Sequence, residues 1–543
     1  MAVPILGRMP RRGTPRPVEL VEIRILDGPN RFFTRPAVKL EFRAEQAGVA
    51  AEVAADAGEA VRRLHVALDL PPPRLTVRES VDRLRAAVAY PWRRRTISQS
   101  IGIAAARIAR GVSTHRREQA ALRSVALGPL PTHARANTPI VAITGTNGKS
   151  TTTRLIAHIG TEAGMRVGMT NSDGIYVAGE LVEAGDWTGF GGAARILSEP
   201  QLDLAVLETA RGGILLRGLG YAASDISVVT NVSADHLGLQ GIDTLDELAE
   251  VKATVVRVAR RGGWAVLNAD DPRVWAMRRE TRARWYPFSL DPAAEGLRLA
   301  LERGDRGAVL DDGWLVLLDA GHRTRLVPAA DLPVTLAGLS RYNIANALAA
   351  AAAADALGIG LELIRSALQT FAQDTAANPG RLNLFEREGV IVAVDFAHNV
   401  AGLQGLLEVG RALAGARRLR LGLGTAGDRT DEVLYELGRL AGRAADDVLI
   451  AEKRHYLRGR DLDEMNAVFR RGIAAGGFEG EVTAAPDEVE AVRALVERCA
   501  PGDVAAVMAH ADRPQVFAWL ADNGFAPVDA ASVLSARAAD AAG

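Results

Sequence analysis

The sequence has a single cysteine, no net charge and no long apolar run. Because Cys499 stands alone among 543 residues, no disulfide can form within the chain, and a cytoplasmic protein is the simplest expectation. No apolar stretch reaches the roughly 18 residues of a membrane-spanning helix. The N-terminal stretch "MAVPILGRMPRRGTPRP" lacks the apolar core of a secretory signal. Arg and Lys number 65, as do Asp and Glu, so overall charge favours no class of partner.

The charge is nevertheless unevenly spread along the chain. Residues 1–135 hold 24 Arg and Lys against 12 Asp and Glu, and the densest cluster is Arg93, Arg94 and Arg95. A basic region can attract nucleic acid or an acidic polymer. No aromatic residues interleave with these cations and no nucleic-acid-binding motif is present. A solvated arginine-rich surface is therefore the favoured interpretation, and nucleic acid is not expected as a partner.

The first part of the chain is typical of a small α+β domain. "VEIRILDG" and "AVKLEFRAE" alternate apolar and polar residues as half-buried strands do, with "PNRFF" as a turn between them. Residues 76–123 have a helical pattern, and "GPLPTHARANTP" is typical of a linker. We therefore expect an N-terminal α+β domain, with a helical segment and linker, over residues 1–135.

From residue 139 short apolar strands alternate with helices. "IVAITG", "LDLAVLET", "ISVVTNV" and "GGWAVLNADD" are predicted strands, and residues 340–370 are an alanine-rich helical region. This alternation predicts an α/β fold with a mostly parallel sheet covered on both faces. A second α/β series begins near "NPGRLNLF". We expect a central domain over residues 136–377 and a C-terminal domain over 378–543, with a disordered tail, "SARAADAAG".

The segment "IVAITGTNGKST" has the form of a phosphate-binding loop with one glycine displaced. The common pattern, G-x-x-x-x-G-K-[ST], requires a glycine where this chain has Ile143, and a glycine appears two positions later, at Gly145. The loop follows a predicted strand and opens a predicted helix, as a phosphate-binding loop must. Backbone N–H groups at such a turn can hold phosphate oxygens. Lys149 supplies a positive charge, and Ser150 or Thr151 supplies a hydroxyl for Mg²⁺.

The displaced glycine matches a known family. "TGTNGKST" resembles the phosphate loop of the Mur ligase superfamily, which reads G-T-[NH]-G-K-[ST]-[ST]. "VLETARGGILLRGLGY", "NVSADHLGLQGIDTLDELAEVK", "NPGRLNLF", "VDFAHNVAGL" and "GTAGDRTDE" resemble the Mur-type half of cyanophycin synthetases, and "RILDGPNRFF" resembles their N-terminal domain. The ATP-grasp domain that separates those two parts in cyanophycin synthetases has no counterpart here. The resemblance implies a Mur-ligase-like P-loop central domain and a Rossmann-like C-terminal domain.

The resemblance also implies an activity and its cofactors. Mur-type ligases transfer the γ-phosphoryl group of ATP to an acceptor carboxylate, and an amine then displaces the phosphate. ATP and Mg²⁺ are therefore the expected cofactors. The expected nucleotide-binding residues are Gly145, Thr146, Asn147, Gly148, Lys149, Ser150, Thr151, Asn343, Arg381 and Asp395, with Lys149 also catalytic.

Four residues match the family's metal-binding positions. Ser150 and Glu208 correspond to ligands of the first Mg²⁺, and His236 and Lys252 to those of the second, where both are also expected to act in catalysis. In several Mur ligases the matching lysine is carbamylated, which turns a cation into an oxygen ligand. Simpler interpretations stay open: an exposed Glu208, a structural His236 and a solvated helix lysine at position 252.

Other matches lie in the second half of the chain. "RYNIANALAAAAAA" resembles the family segment H-N-x-x-N-x-x-A-A, so Asn343 is expected near the nucleotide, but Tyr342 replaces the histidine and leaves the contact with the base open. Arg381 and Asp395 match residues that close over ATP, with Asp395 at the ribose. His398 either faces the acyl phosphate as a catalytic residue or is structural.

The segment "AEKRHYLRGRD" departs from what an arginine substrate would need. An acidic pair would be expected near Lys453 if arginine were the incoming amino acid, and the segment is basic instead. Lys453, Arg454 and His455 could contact an acidic substrate or form a solvated turn. The segment "VMAHADRPQVFAWL" has no recognised pattern.

These observations predict an ATP-dependent amide or isopeptide ligase in a cyanophycin-like or other peptide or polymer pathway. Its partners would be ATP, an amino acid and a carboxylate-bearing peptide-like or polymer acceptor. A separate ATP-grasp enzyme and a homo-oligomer are further possible partners. The alternative is a nucleotide-binding pseudoenzyme or regulatory subunit that assists a separate synthetase. Both metal positions are retained, which favours the enzyme.

Overall fold

The computed structural model describes residues 16–132 and 138–542, which form three β-sheets with their helices. We name the corresponding parts the N-terminal, central and C-terminal units. The N-terminal stretch before residue 16 and part of the predicted linker, residues 133–137, lie outside the described residues.

The N-terminal unit is a four-stranded antiparallel sheet, in the order β1-β2-β4-β3, with helices on one face. Its elements are β1 Val18–Leu26, β2 Ala37–Ala44, α1 Val49–Ala67, β3 Thr76–Glu79, β4 Arg85–Pro91, α2 Arg95–Ala109 and α3 His115–Leu122. The sequence predicts a helical pattern over residues 76–123, and this is wrong for residues 76–91. β4 pairs with β2 over its whole length, so partner strands decide its conformation.

The central unit is an eleven-stranded sheet whose middle is parallel. Its order is β15-β14-β13-β12-β11-β10-β5-β9-β6-β7-β8, and antiparallel hairpins form both ends. The strands are β5 Ile140–Thr144, β6 Val167–Thr170, β7 Gly174–Val177, β8 Glu180–Ala184, β9 Leu204–Glu208, β10 Ser224–Val229, β11 Ala259–Asn268, β12 Arg284–Ser289, β13 Arg306–Asp311, β14 Trp314–Asp319 and β15 His322–Pro328.

Helices cover both faces of this sheet, as the strand–helix alternation predicts. They are α4 Lys149–Glu162, α5 Phe190–Leu197, α6 Arg211–Leu216, α7 Leu245–Arg257, α8 Pro272–Ala276, α9 Glu295–Glu302, α10 Arg341–Ala356 and α11 Leu361–Thr370. Residues of α4, α10 and α11 pack on one face, and residues of α5, α6, α7 and α8 pack on the other. The alanine-rich α10 is buried along most of its length because small side chains let it lie close to the strands.

The C-terminal unit is a seven-stranded, mostly parallel sheet in the order β20-β19-β18-β21-β17-β16-β22. Its elements are β16 Asn383–Arg387, β17 Val390–Asp395, α12 Val400–Ala414, β18 Leu419–Leu423, α13 Asp431–Ala444, β19 Asp447–Ala451, α14 Leu462–Ala475, β20 Thr483–Ala485, α15 Glu488–Glu497, β21 Val504–Met508, α16 Arg513–Asp522, β22 Ala526–Pro527 and α17 Ala530–Ala542. The expected disorder of the tail is wrong over residues 535–542, which continue α17, and Gly543 lies outside the described residues. Ala530 and Val533 of α17 are buried in the core of this unit, and alanine favours the helix.

Ion pairs join the N-terminal unit to the central unit. Asp27 accepts hydrogen bonds from Arg217 at 2.7 Å and from Arg95, and Arg31 lies 2.9 Å from Glu250. The backbone of Leu219 donates to Pro29 at 2.7 Å. The segment "RILDGPNRFF" is therefore one part of the N-terminal unit that packs against the region of α6 and α7, and Arg85 of β4 adds an ion pair with Asp243 at 3.0 Å.

Candidate active site

A cleft of about 780 Å³ opens where the central and C-terminal units meet. It lies at the carboxyl ends of β5, β9 and β10, which are parallel neighbours in the central sheet. Ligands of open α/β sheets bind at such edges because loops and helix N-termini converge there. The cleft is lined by residues 145–151, residues 208 and 210–212, several residues of segment 231–240, Lys252, and several residues of segment 381–402.

The loop between β5 and α4 requires glycine at two positions. Gly148 immediately precedes α4 with φ 82°, a left-handed conformation, and a Cβ there would overlap Asn346 Oδ1. Gly145 has φ 155°, and a Cβ there would overlap Thr230 Oγ1. The displaced glycine is thus a structural requirement of this loop. The first amides of α4 have no partner within the helix and suit an anion.

Asparagine side chains hold the loop from both sides. Asn231 accepts from the amides of Thr146 through its backbone oxygen and of Asn147 through its side chain, both at 2.9 Å. Asn147 and Asn399 exchange two side-chain hydrogen bonds, of 3.2 and 2.9 Å. Because Asn399 caps α12 of the C-terminal unit, this amide pair ties the loop to the opposite wall of the cleft.

Glu208 lies beside the loop because β9 pairs with β5 in the register Ile143↔Glu208. Its side chain is buried, so the alternative of an exposed glutamate is wrong. Burial raises the pKa of Glu208, although the charge of Lys149 and a hydrogen bond with Ser150 oppose the shift. Its Oε2 has no hydrogen-bond partner within the described residues. Glu208 is therefore a carboxylate oriented toward a partner that the protein itself does not supply.

Two cations at the loop, Lys149 and Arg381, donate hydrogen bonds to nearby oxygens. Lys149 Nζ donates to the backbone oxygen of Thr146 at 2.8 Å. Ser150 Oγ lies 3.3 Å from Ser172 Oγ and accepts from Arg381 Nη2 at 3.3 Å. Arg381 belongs to the C-terminal unit, so the structure brings Lys149, Ser150 and Arg381 together across the boundary between the units.

Lys252 extends from α7 into the same site. Its Nζ donates to the backbone oxygen of Gly145 at 2.6 Å, and its side chain is buried, so the alternative of a solvated lysine is wrong. Burial, with the positive charge of Lys149, lowers the pKa of Lys252 well below its ordinary value. The shift favours the neutral amine, which is the nucleophilic form of lysine.

His236 and His398 meet around Asp235. His236 has φ 51°, and its Nδ1 accepts from Arg429 at 2.9 Å and lies 3.2 Å from Asp428. Asp235 lies 3.6 Å from His398 Nε2 and 3.3 Å from Arg429. Burial alone would raise the pKa of Asp235, but nearby His398, with His236 and Arg429, lowers it. This network joins the two walls of the cleft.

Asp395 ends β17 on the C-terminal side of the cleft. It accepts from the amide of Leu382 at 2.9 Å. Burial raises the pKa of Asp395 to about 6, although Arg381 and the bound amide oppose the shift. Asp395 and Arg381 both line the cleft, as their predicted roles require.

Asn343 stands one layer behind the cleft. Its side chain donates to the backbone oxygen of Val334 at 2.8 Å and accepts from Asn346 at 3.0 Å, and Asn346 is the residue that lines the cleft. Tyr342 lines both the cleft and an adjoining cavity of about 350 Å³ that includes Asp270. The replacement of histidine by Tyr342 thus lies at the junction of these two spaces.

Several residues of this site escape the sequence analysis. The Asn147–Asn399 pair and the contacts of Asp428 and Arg429 lie within quoted motifs, but no single-sequence signal identifies their partners. Arg513 pairs with Asp173 at 2.7 Å and lies in the segment with no recognised pattern.

The expectation for the basic segment 451–461 is wrong at one position. Lys453 is buried against Glu488, so the alternative of a solvated turn is wrong for this residue. Arg454 and His455 are exposed.

Within the described residues, no three or more His, Cys, Asp or Glu side chains lie together in a way that could hold a metal ion. No helix in residues 16–132 and 138–542 is both long and apolar enough to cross a bilayer.

Two family models match the part of the chain that forms this cleft. The model of the Mur ligase middle domain matches residues 143–354, and that of the Mur ligase glutamate ligase domain matches residues 380–511. The chain belongs to the Mur ligase family. The family resemblance and the predicted fold class are thereby confirmed.

Curated relatives align with more than half of this chain. A cyanophycin synthetase from Crocosphaera subtropica is 40% identical over 378 residues, which are 69% of this chain and 43% of that protein. The chain thus spans less than half the length of this relative. A UDP-N-acetylmuramoyl-L-alanyl-D-glutamate–2,6-diaminopimelate ligase from Corynebacterium efficiens is 28% identical over 67% of each protein.

Solved structures share the fold of this chain. Escherichia coli FolC in complex with DHPP and ADP matches with a TM-score of 0.53 at 19% identity, over 72% of this chain and 89% of that one. A pseudomurein peptide ligase type C from Methanothermus fervidus matches with a TM-score of 0.50 at 18% identity, over 72% of this chain and 79% of that one.

Proposed function

We propose that this chain is an ATP-dependent ligase that joins the amine of an amino acid to a carboxylate of a peptide-like or polymer acceptor. The observation that carries the proposal is the cleft itself, where the glycine loop, Lys149 and the unpaired oxygen of Glu208 face Arg381 of the C-terminal unit. The γ-phosphoryl group of ATP passes to the acceptor carboxylate, and ADP leaves. The amine then attacks the acyl phosphate and releases inorganic phosphate. Such transfers depend on positioning and neutralised charge, which this cleft supplies.

The residues that line the cleft support a nucleotide as its ligand. The amides of the loop, residues 145–151, hold phosphate oxygens, and Lys149 and Arg381 neutralise their charge. The base enters the adjoining cavity past Tyr342 and Asn346, and Asn343 holds Asn346 in place. Asp395 accepts hydrogen bonds from the ribose hydroxyls.

The side chains around Glu208 fit Mg²⁺. A buried carboxylate with an unpaired oxygen, next to the hydroxyl of Ser150, is a hard-oxygen donor set. Mg²⁺ is often held by one or two carboxylates together with substrate phosphates, so a larger acidic cluster is not needed. We assign Ser150 and Glu208 to a first ion, and His236 and a carbamylated Lys252 to a second. When bound, these ions neutralise phosphate charge during transfer. His398, held near Asp235, faces the acyl phosphate.

The N-terminal unit offers a place for the remainder of the acceptor. A cavity of about 340 Å³ between this unit and the central unit contains Lys39, Glu41 and Arg85, and it reaches Gln240, which also lines the cleft. We propose that the acceptor lies along this cavity with its carboxylate in the cleft. We also propose that a separate ATP-grasp enzyme supplies the second ligation of a polymer. In this scheme three domains span residues 1–135, 136–377 and 378–543.

The test is phosphate release from ATP and Mg²⁺ with panels of acceptors and amino acids. Lys149→Met should lower the rate by about 10² or more, because a cation that neutralises transition-state charge is removed. Arg166→Met is the control, since this exposed cation lies just beyond the same helix. Nucleotide binding without phosphate release, with every acceptor–amine pair, would contradict the ligase and favour a regulatory nucleotide-binding subunit. An unchanged rate in Lys149→Met would contradict the assignment of the site.

A further inference from the structure

A buried ion pair lies outside the cleft, in the C-terminal unit. Lys453 follows β19, and Glu488 is the first residue of α15. Their side chains contact each other and are 3% and 0% exposed. Neither residue lines the cleft, and none of the proposed chemistry uses them. Removing both charges from water is costly. The other hydrogen bonds that the two side chains make therefore indicate what the pair does in the fold.

The pair fixes one loop, residues 509–513, which joins β21 to α16. Glu488 Oε1 accepts from the amides of His510 at 2.8 Å and Ala511 at 3.2 Å, and Oε2 accepts from that of Asp512 at 3.0 Å. Lys453 Nζ donates to the backbone oxygen of Met508 at 2.6 Å, where β21 ends. Three consecutive amides thus share one carboxylate, which determines the path of the loop.

The loop carries two side chains that reach the cleft walls. His510 Nε2 lies 2.6 Å from the backbone oxygen of Ala397, between Asp395 and His398. Burial lowers the pKa of His510 well below its ordinary value, so the neutral ring donates this bond. Arg513 crosses to the central unit and lies 2.7 Å from Asp173 Oδ1, next to Ser172.

Asp173 is itself anchored to the phosphate-loop helix. Its Oδ2 lies 2.8 Å from Arg154 of α4, and Arg154 also donates to the backbone oxygen of Ala377 at 3.2 Å. The loop that Glu488 shapes therefore contacts both sides of the nucleotide site, through Ala397 on one side and Asp173 on the other.

We propose that Glu488, paired with Lys453, is a positioning residue for the nucleotide site. It acts by fixing loop 509–513, so that His510 holds the segment with Asp395 and His398, and Arg513 holds the C-terminal unit against the phosphate-loop helix. The inference rests on the proposed function only in taking the ligand of the cleft to be a nucleotide.

The chain offers a matched control at the other end of β21. Asp503 immediately precedes this strand and accepts from the amides of Ala500 at 3.0 Å and Arg418 at 3.1 Å, with Arg420 at 3.2 Å. It is thus a buried carboxylate with backbone amides and one cation, as Glu488 is, but at the edge of the sheet away from the cleft. Asp503→Asn reports the effect of lost stability alone.

Amide hydrogen exchange of the full chain tests the positioning without any ligand. Glu488→Gln and Asp503→Asn are compared under conditions in which both variants have lost the same amount of melting temperature. Under these conditions Glu488→Gln should exchange about tenfold faster or more than Asp503→Asn in segments 396–398 and 172–174. A fluorescent ADP analogue should bind Glu488→Gln at least about tenfold more weakly, with Asp503→Asn within about twofold of the unmodified chain. Equal exchange in the two variants would overturn the inference.

A second variant covers the case in which Glu488→Gln does not fold. Arg513→Met removes the contact with Asp173, together with a 3.4 Å hydrogen bond to Pro379 and the packing on the Phe396 ring. Exchange should therefore speed up more in segment 172–174 than in segment 396–398, where the hydrogen bond between His510 and Ala397 remains. No change in segment 172–174 would overturn the inference. If the unmodified chain does not bind the ADP analogue, the proposed function fails, and the exchange data still decide the role of Glu488.

Discussion

Replacing Asp395 by asparagine should stabilise the protein at neutral pH. The carboxylate is buried at the end of β17, and burial raises its pKa from 3.8 to about 6. The folded state therefore binds this proton more tightly than the unfolded chain. Its contribution to stability is fully present below pH 3.8 and is lost as the pH rises through about 6. The asparagine side chain would keep an acceptor for the amide of Leu382 and would carry no charge.

The pKa shift sets the size of the effect. A shift of about two pKa units corresponds to about 3 kcal/mol at a pH above both values, at about 1.4 kcal/mol per unit. At pH 4 little of this remains, because the carboxyl group is largely protonated when folded. The free energy of unfolding of Asp395→Asn, relative to the unmodified chain, should thus rise by about 2 kcal/mol between pH 4 and pH 7.5.

Urea unfolding at a series of pH values measures this difference. Asp503→Asn is the control of opposite sign. Burial would raise the pKa of Asp503, but backbone amides and Arg420 lower it, so this carboxylate stabilises the fold at neutral pH and loses that effect as the pH falls. A flat difference for Asp395→Asn across pH 4–7.5, or one that falls with pH, would refute the reasoning.

Three further substitutions test the cleft. Gly148→Ala adds a Cβ at a left-handed position and against Asn346, so nucleotide binding should fall by tenfold or more in a fluorescence titration, and unchanged affinity would contradict the loop geometry. In protein with an uncarbamylated lysine at this position, Lys252→Met should raise the melting temperature at pH 6, by an amount that shrinks toward pH 9, and abolish phosphate release; a lower melting temperature, or retained activity, would contradict this. Asn399→Ala removes the amide pair with Asn147 and a helix cap, so the KM for ATP should rise by more than the roughly 1 kcal/mol loss of a cap explains, and unchanged KM would contradict a role in closure.

The elements that could be predicted from sequence are those determined locally. The strand–loop–helix around Gly148 and Lys149 combines a buried apolar run, left-handed glycine and a helix start, and each of these is visible in a few residues. The strand–helix alternation of the central and C-terminal units is likewise a local pattern. These features account for the correct fold class.

The errors concern structure that depends on distant partners. "RAAVAYP" contains enough alanine to suggest a helix, and it becomes β4 because β2 pairs with it on one side and β3 on the other. Lys453 looks like a surface cation, and only the fold places Glu488 beside it. The contacts across the cleft, such as Arg513 with Asp173, join residues 340 positions apart, for which one sequence contains no signal.

Burial of a charged group does not by itself mark the residues of the candidate site. What marks them is burial without a paired side chain of opposite charge. Lys453 and Glu488 are as buried as any group in the cleft, but they neutralise each other and their hydrogen bonds go to backbone. Glu208, Lys252 and Asp395 form no salt bridge within the described residues, and each has its pKa shifted toward the neutral form. Burial also lowers the pKa of Lys453, but there the charge and hydrogen bond of Glu488 oppose the shift. All three groups line the same cleft, and such clusters of shifted pKa values are typical of functional sites.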